Sequence, residues 1–292
     1  MGQLDQSKLA WQSKLVLLLV LPVVGCGVVL ETSDWYGSAP AVVYWTLGLS
    51  AALGVVTLAL RAATPFAAVT GAVITAQLMY ATAATPFNAW RTYIVPVLAV
   101  SLLAFGATRV GRARKEQIGT AEARRGRSAA QVAANLGAAA LISTSLIESW
   151  AVNSRWMPHS ATALLVASLA AMAEAAADTV SSEIGQVFGG RPRMIISFRP
   201  VDPGTDGGIT FAGTIAGIAA AVIVAALGSL TVRPDLRFFL MATAGAVFGL
   251  FFDSLLGATL ERKGWLNNDG VNFLSTISAA AFTLIALAIH PN

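Results

Sequence analysis

Nine runs of about 17 to 23 predominantly apolar residues divide this chain, at 14–30, 41–60, 64–82, 92–108, 129–147, 160–178, 208–230, 238–257 and 271–289. As a helix rising 1.5 Å per residue, a run of that length crosses the ~30 Å hydrocarbon core of a bilayer. The pattern predicts an all-α fold: a polytopic transmembrane helix bundle of about nine spans, within a range of seven to nine. The third, fifth and sixth runs are rich in Ala and only weakly hydrophobic, the character of buried helices rather than lipid-facing ones. No long Pro- or Ser-rich linker, low-complexity tail or fixed-period repeat interrupts the series. One integral membrane domain over 1–292 is expected, with N-terminal helices in 1–108 and motif-bearing helices in 109–292.

Charge is consistent with this reading. Only 12% of residues are charged, about half the proportion usual in soluble domains. The net charge of +4 would be compatible with nucleic acid, but seven of the nineteen basic residues crowd into 109–127. In a membrane protein such a cluster reports topology, and no nucleic-acid partner is expected. Lys8 and Lys14 precede the first run, and no small-residue cleavage site follows it closely, so it reads as a retained first span. With the N-terminus cytoplasmic, the alternation places Glu31 and Asp34 outside, Arg61 inside, and three polar connections together on the cytoplasmic face.

Several chemistries lack their residues. The single cysteine, Cys26, lies in an apolar run, and the two histidines, His159 and His290, have no ligand-spaced partner. A disulfide framework, a thiolate metal site, a zinc hydrolase and a His-based relay are all disfavoured. None of the four lysines completes a GxxxxGK[ST] phosphate loop, and no GxSxG elbow occurs.

The polar connections carry the candidate chemistry. In "DTVSSEIGQ", Asp178 and Ser182 are four residues apart beside Glu183, gathering carboxylate and hydroxyl oxygens over one helical turn as Asp178 leaves its span. Such oxygens suit Mg²⁺, which is usually held by one or two carboxylates plus substrate phosphates. Further on, Gly185, Gly189 and Gly190 precede Arg199, and Gly204, Thr205, Asp206, Gly207 and Gly208 lead into the next span. A Gly-rich turn feeding a helix N-terminus is a phosphate cradle in outline, although tight turns at a membrane surface also use glycine. Within "RRGRSAAQVAANLG", Arg124, Arg125 and Arg127, ahead of Asn135 in the next span, suit phosphates or anionic headgroups, and topology determination explains the same arginines equally well.

Small residues recur at packing spacing, Gly213 with Gly217 and then Gly245, Gly249, Asp253 and Gly257. Packing accounts for the glycines. A carboxylate on such a stripe costs a few kcal/mol unless paired, so Asp253 is read as functional. Asn267, Asn268, Asp269 and Asn272 in "LNNDGVNFLST" exceed what one helix cap needs.

Taken in order, "RRGRSAAQVAANLG", "ADTVSSEIGQ", "SFRPVDPGTDGG", "GTIAG", "DSLLGATLE" and "LNNDGVNFLST" closely resemble the family that contains plant phytyl-phosphate kinase and animal transmembrane protein 19. That family is distantly similar to dolichol and phytol kinases. The resemblance runs from residue 109 to the C-terminus. It implies CTP-dependent phosphorylation of an isoprenyl monophosphate to its diphosphate; the oxygen ligands add Mg²⁺ as cofactor, and the charge pattern places the site at the cytoplasmic face of what is expected to be a prokaryotic inner membrane. Carried over by position, Asp178, Glu183, Arg199 and Asp253 become the catalytic set, with Asp178, Glu183 and Asp253 as metal ligands. Ser182, Gly185, the 204–208 turn, Asn135, Arg124, Arg125 and the C-terminal Asn267, Asn268, Asp269 and Asn272 become nucleotide- and phosphate-binding. Where the family pattern has Lys, this chain has Arg199, which keeps the charge but changes the donor geometry.

An acceptor that is already a phosphate needs no strong base, only positioning and charge neutralisation, so the missing residues are ones this reaction does without. Two alternatives use overlapping parts: a nucleotidyltransferase forming a CDP-lipid, and a transporter of an anionic lipid or phosphate compound. Partners are therefore an isoprenyl monophosphate, a nucleoside triphosphate and membrane lipids. Oligomeric state is not legible.

Overall fold

A computed structural model describes residues 9–120, 126–153 and 161–289 of the chain. Its first half comprises α1 (Ala10–Ser38), α2 (Pro40–Ala59), α3 (Pro65–Tyr80), α4 (Ile94–Arg109), the short α5 (Arg112–Gln117), α6 (Ala129–Ile142) and α7 (Ser145–Asn153). The second half comprises α8 (Ala161–Phe188), α9 (Phe211–Val232), α10 (Leu236–Leu256) and α11 (Asn268–Ile289), with strands β1 (Arg193–Met194) and β2 (Gly208–Ile209) between α8 and α9. All nine apolar runs are helical. Among the described residues six helices are long and apolar enough to cross a membrane, and a seventh span forms if α6 and α7, bent by 48° at their junction, count as one. The remaining two, α3 and α4, have 16 residues each, about 24 Å of helix. The span count thus falls at the lower end of the range expected from sequence.

Side-chain chemistry sets the helix starts. Thr64 caps α3 by accepting the Ala67 amide, with Pro65 at the first helical position. Ser128 and Gln131 form a reciprocal capping box at the start of α6, at 3.2 and 2.7 Å. Thr210 caps α9 by accepting the Gly213 amide at 3.1 Å.

The core is contiguous from α1 to α11, and α8 lies at its centre, buried along nearly all its length. The sixth apolar run is therefore the buried helix that its weak hydrophobicity predicted. Close packing on α8 depends on glycines opposite it: a Cβ at Gly217 would stand 2.8 Å from both the Ala177 carbonyl oxygen and the Ser181 Cβ. One expectation is corrected. Asp178 does not leave the helix; α8 continues to Phe188, because residues 179–188 contain no Pro or internal Gly pair to stop it.

Five polar segments meet at one end of the bundle. The Asn267 amide donates to the Leu9 carbonyl at 3.0 Å, Arg109 donates to the Leu60 carbonyl at 3.3 Å, and the Thr120 hydroxyl donates to Gln186 at 2.7 Å. The α8–α9 hairpin closes the group by packing Gly207 against Ala258, in a π-helical turn at Gly257–Glu261 that ends α10. Gly207 has a φ of +73°, and a Cβ there would collide with the Ala258 backbone. Gly207→Ala is expected to lift the hairpin off this turn, at a local cost of roughly 1–3 kcal/mol. Faster proteolysis within 189–210 is the readout. Gly190→Ala, with φ of +66° but open space around the site, separates backbone strain from collision.

Candidate functional site

The site grows from one face of α8. Glu174 and Asp178 are one turn apart on it and therefore project side by side. The Gly245, Gly249, Asp253 stripe of α10 packs against this face: a Cβ at Gly249 would meet the Glu174 side chain and the Ser275 carbonyl of α11. The absence of a side chain at Gly249 thus leaves room for Glu174. One turn later Asp253 comes within hydrogen-bonding reach of Asp178. Ser275 stands beside Glu174 and Asp253, while its hydroxyl donates to the Asn272 carbonyl at 3.0 Å. Among the described residues, both Glu174 oxygens and Asp253 Oδ2 are buried without a hydrogen-bond partner. Carboxylates enclosed in this way cost several kcal/mol unless something compensates them.

One compensating group is Arg127, which neighbours Asp178. Its placement is built from the backbone. Gly126, with φ of +78°, lies so close to residues 61–63 that a Cβ would overlap them. The Arg127 amide donates to the Ala62 carbonyl at 2.9 Å, and its own carbonyl accepts from Thr64 at 3.0 Å. The Ser128 cap then starts α6 immediately after it. Its guanidinium also lies 3.5 Å from the Thr179 hydroxyl. On the other side, Glu261 in the π-helical turn faces Asp178 and Asp206. Asp206 is pushed above the ordinary carboxylate range by partial burial, with the Arg262 guanidinium drawing it back.

The other residues singled out from sequence fall into distinct places. Glu183 forms an ion pair with Lys115 at 2.5 Å. The Lys115 ammonium also donates to the carbonyls of Ala107 and Thr108 at 3.0 and 2.8 Å, so this pair ties the α4–α5 corner to α8. Ser182 donates to the Thr179 carbonyl at 3.1 Å. Gly185 faces Thr210 and Gly213 of α9, where it permits close approach. Asn135 of α6 and Asn272 of α11 meet at 3.5 Å. Arg124 and Arg125 lie outside the described residues.

The Gly-rich segment is a hairpin rather than an open nest of amides. β1 and β2 pair antiparallel, Arg193 opposite Ile209. The amides of Ile195, Thr205 and Gly208 bond within the loop, to the carbonyls of Gly207, Asp202 and Thr205. At the start of α9 the Thr210 hydroxyl takes up the Gly213 amide. Arg199 and Gly204 are exposed on this loop. Among the C-terminal residues, Asn267 and Asp269 hold the start of α1. The Asn267 amide N–H donates to Gln12 at 2.8 Å and its side chain to Ser13 at 3.0 Å, while Ser13 donates to Asp269 at 2.6 Å. Asn268 is exposed.

Beside the carboxylates, a cavity of about 440 Å³ opens between α2, α3, α4 and α6, with Ala175 of α8 at its back. Arg61, Arg109, Arg112 and Arg127 line it, together with apolar and small residues such as Gly54, Gly71, Val97 and Leu136. Arg127 therefore belongs both to this cavity and to the surroundings of Asp178.

Sequence reading missed Glu174 and Lys115, and it grouped Arg127 with Arg124 and Arg125 without its neighbour Asp178. Glu174 carried a usable signal, a carboxylate four residues before Asp178 inside an apolar run. For Lys115 there was none, since its partner is 68 residues away.

Relatives of this chain occur in archaea, bacteria and plants. It is 43% identical over 113 residues to an uncharacterised membrane protein of Methanocaldococcus jannaschii, covering 39% of this chain and 47% of that one. It is 32% identical over 200 residues to an uncharacterised membrane protein of Synechocystis, covering 67% of this chain and 73% of that one. With the chloroplastic protein VTE6 of Arabidopsis thaliana it shares 29% identity over 196 residues, covering 64% of this chain and 57% of the plant protein. These matches span about half of the archaeal and plant proteins' own length. No solved structure matches the chain. The polytopic helical bundle and a match over residues 48–280 to the family described as integral membrane protein DUF92 agree, and the chain belongs to that family.

Proposed function

We propose that this protein is a CTP-dependent isoprenyl-phosphate kinase, transferring a phosphoryl group to an isoprenyl monophosphate at the cytoplasmic face of a prokaryotic inner membrane. One observation carries the reading: carboxylates of α8 and α10, three of whose oxygens are buried with no hydrogen-bond partner among the described residues, converge beside Arg127. The motif order shared with the family containing plant phytyl-phosphate kinase supports the choice of reaction, as does the likeness to VTE6.

In the proposed step an oxygen of the acceptor monophosphate attacks the γ-phosphorus of the nucleotide. The bond from that phosphorus to the β-phosphate oxygen breaks, and CDP departs with the electron pair. The donor set fits Mg²⁺. Among the described residues no three His, Cys, Asp or Glu side chains converge as a complete metal cage, and Mg²⁺ characteristically takes one or two carboxylates and completes its shell with phosphates and water. Asp178 and Asp253 would hold it, with Glu183 joining if Lys115 releases it. When bound, the ion supplies neutralisation of the phosphates' charge. Arg127 orients the acceptor phosphate beside Asp178, and the exposed Arg199 is available to the nucleotide.

The test is purified protein in detergent with Mg²⁺, γ-labelled CTP or ATP, and phytyl, geranylgeranyl and farnesyl monophosphates. Label appearing in an isoprenyl diphosphate is the expected result. Labelled pyrophosphate with a CDP-lipid would make the protein a nucleotidyltransferase, and a folded preparation that consumes no nucleotide would overturn the kinase reading.

A further inference from the structure

The cavity beside α8 has the shape and polarity of a particular ligand class. Its four arginines all come from one end of the bundle: Arg61 follows α2, Arg109 ends α4, Arg112 opens α5 and Arg127 precedes α6. Its other lining residues lie progressively deeper. On α4 they extend back to Val97, twelve residues before Arg109, or about 18 Å along the helix. That is a little more than half the ~30 Å hydrocarbon thickness. On α2 and α3 the walls are Gly54, Ala67, Ala68 and Gly71, whose small side chains leave the channel open. The cavity is thus a single channel, cationic at one end and apolar beyond.

The cationic end is organised for a phosphate. Arg109 stacks on the Phe105 ring at 3.3 Å and is anchored to the Leu60 carbonyl, which holds its planar fork in place. Arg127 is fixed through its backbone on both sides. A doubly charged phosphate monoester matches several guanidinium groups far better than a zwitterionic headgroup does. A cavity of about 440 Å³ has room for one lipid chain rather than for the paired chains of a bilayer phospholipid.

We propose that this cavity binds a single-chain lipid monophosphate, its phosphate held by Arg61, Arg109 and Arg127 and its chain running along Gly71 and Val97. The assignment of this ligand as the acceptor rests on the kinase reading; the binding site itself does not. Through Arg127 the bound phosphate would stand next to Asp178, while the chain lies on the opposite side of that arginine.

Binding is measured without nucleotide, using geranylgeranyl monophosphate and full-length protein in detergent. Gly71 has only Val132 within 4 Å of where a Cβ would sit, at 3.8 Å, so Gly71→Leu can enter the channel without striking backbone. Ser101→Leu fills it from α4. Each filling variant, and Arg109→Gln, is expected to weaken binding by about tenfold or more while the thermal transition is kept. Geranylgeraniol should bind more weakly than its phosphate, and inorganic phosphate should not displace the lipid at equal concentration. The proposal is overturned if both folded filling variants bind normally, if the alcohol binds as tightly, or if inorganic phosphate or phosphatidic acid competes equally. If one filling variant misfolds, the other and Arg109→Gln decide. A protein that binds the lipid here but transfers no phosphate leaves the site standing and removes the kinase reading. Transfer at unchanged KM in the filling variants does the reverse.

Discussion

Asp178→Asn is expected to lower kcat for lipid diphosphate formation by at least 10²–10³-fold, the order seen when one preorganised electrostatic contact in an active site is lost. Asn has nearly the same shape as Asp but no charge, so the Asp178–Asp253 pair could no longer neutralise a cation between substrates. The same exchange removes one charge from a crowded group of carboxylates, and the thermal transition should stay level or rise. A loss of activity with retained stability separates chemistry from folding. Asp253→Asn should behave alike, because Asp253 adjoins Asp178 and Glu174 in the same group of carboxylates. Ser182→Ala, whose hydroxyl bonds only the Thr179 carbonyl, should be close to wild type. Full activity in Asp178→Asn would remove this residue from the reaction, and with it the principal support for the kinase reading.

Lys115→Met is expected to be the most destabilising single change. The ammonium is buried to 1% exposure and holds Glu183, itself 15% exposed, as well as two backbone carbonyls. Removing the cation leaves a shielded carboxylate unpaired, a situation that costs about 3–5 kcal/mol. The double variant Lys115→Met/Glu183→Gln should recover much of the loss, since neither partner then carries an uncompensated charge. Thermal unfolding in detergent, read for both single variants and the double, gives the coupling. If Lys115→Met unfolds at the wild-type temperature, the α4–α5 corner is held by something other than this pair.

Both predictions rest on groups that the chain displays unequally. Each apolar run is visible in the sequence because burial in hydrocarbon demands an unbroken stretch, and every one became a helix. Asp253 was also legible, through its place on a glycine stripe. Glu174 obeyed the same rule but was hidden by the Ala-rich run around it. The Gly-rich loop suggested exposed amides, yet the hairpin of β1 with β2 takes several of them up, and that register depends on residues 14 and 16 positions apart. Asn267 and Asp269 looked like ligands because their true partners, Gln12 and Ser13, stand some 255 residues earlier. Local chemistry was readable, whereas a polar residue's partner, chosen by tertiary packing, was not.

The burial of α8 bears on how the protein is made. This helix is Ala-rich and carries Glu174, Asp178 and Glu183, a composition that partitions poorly from the translocation channel into lipid. Its packing partners α9, α10 and α11 all follow it in the chain. The segment must therefore wait, held at the insertion machinery or against α4 and α6, until later spans arrive to enclose it. The acidic residues gathered on this helix thus make the completion of synthesis a condition for seating the centre of the bundle. A chain truncated after α8 would leave those carboxylates facing lipid, marking it for membrane quality control.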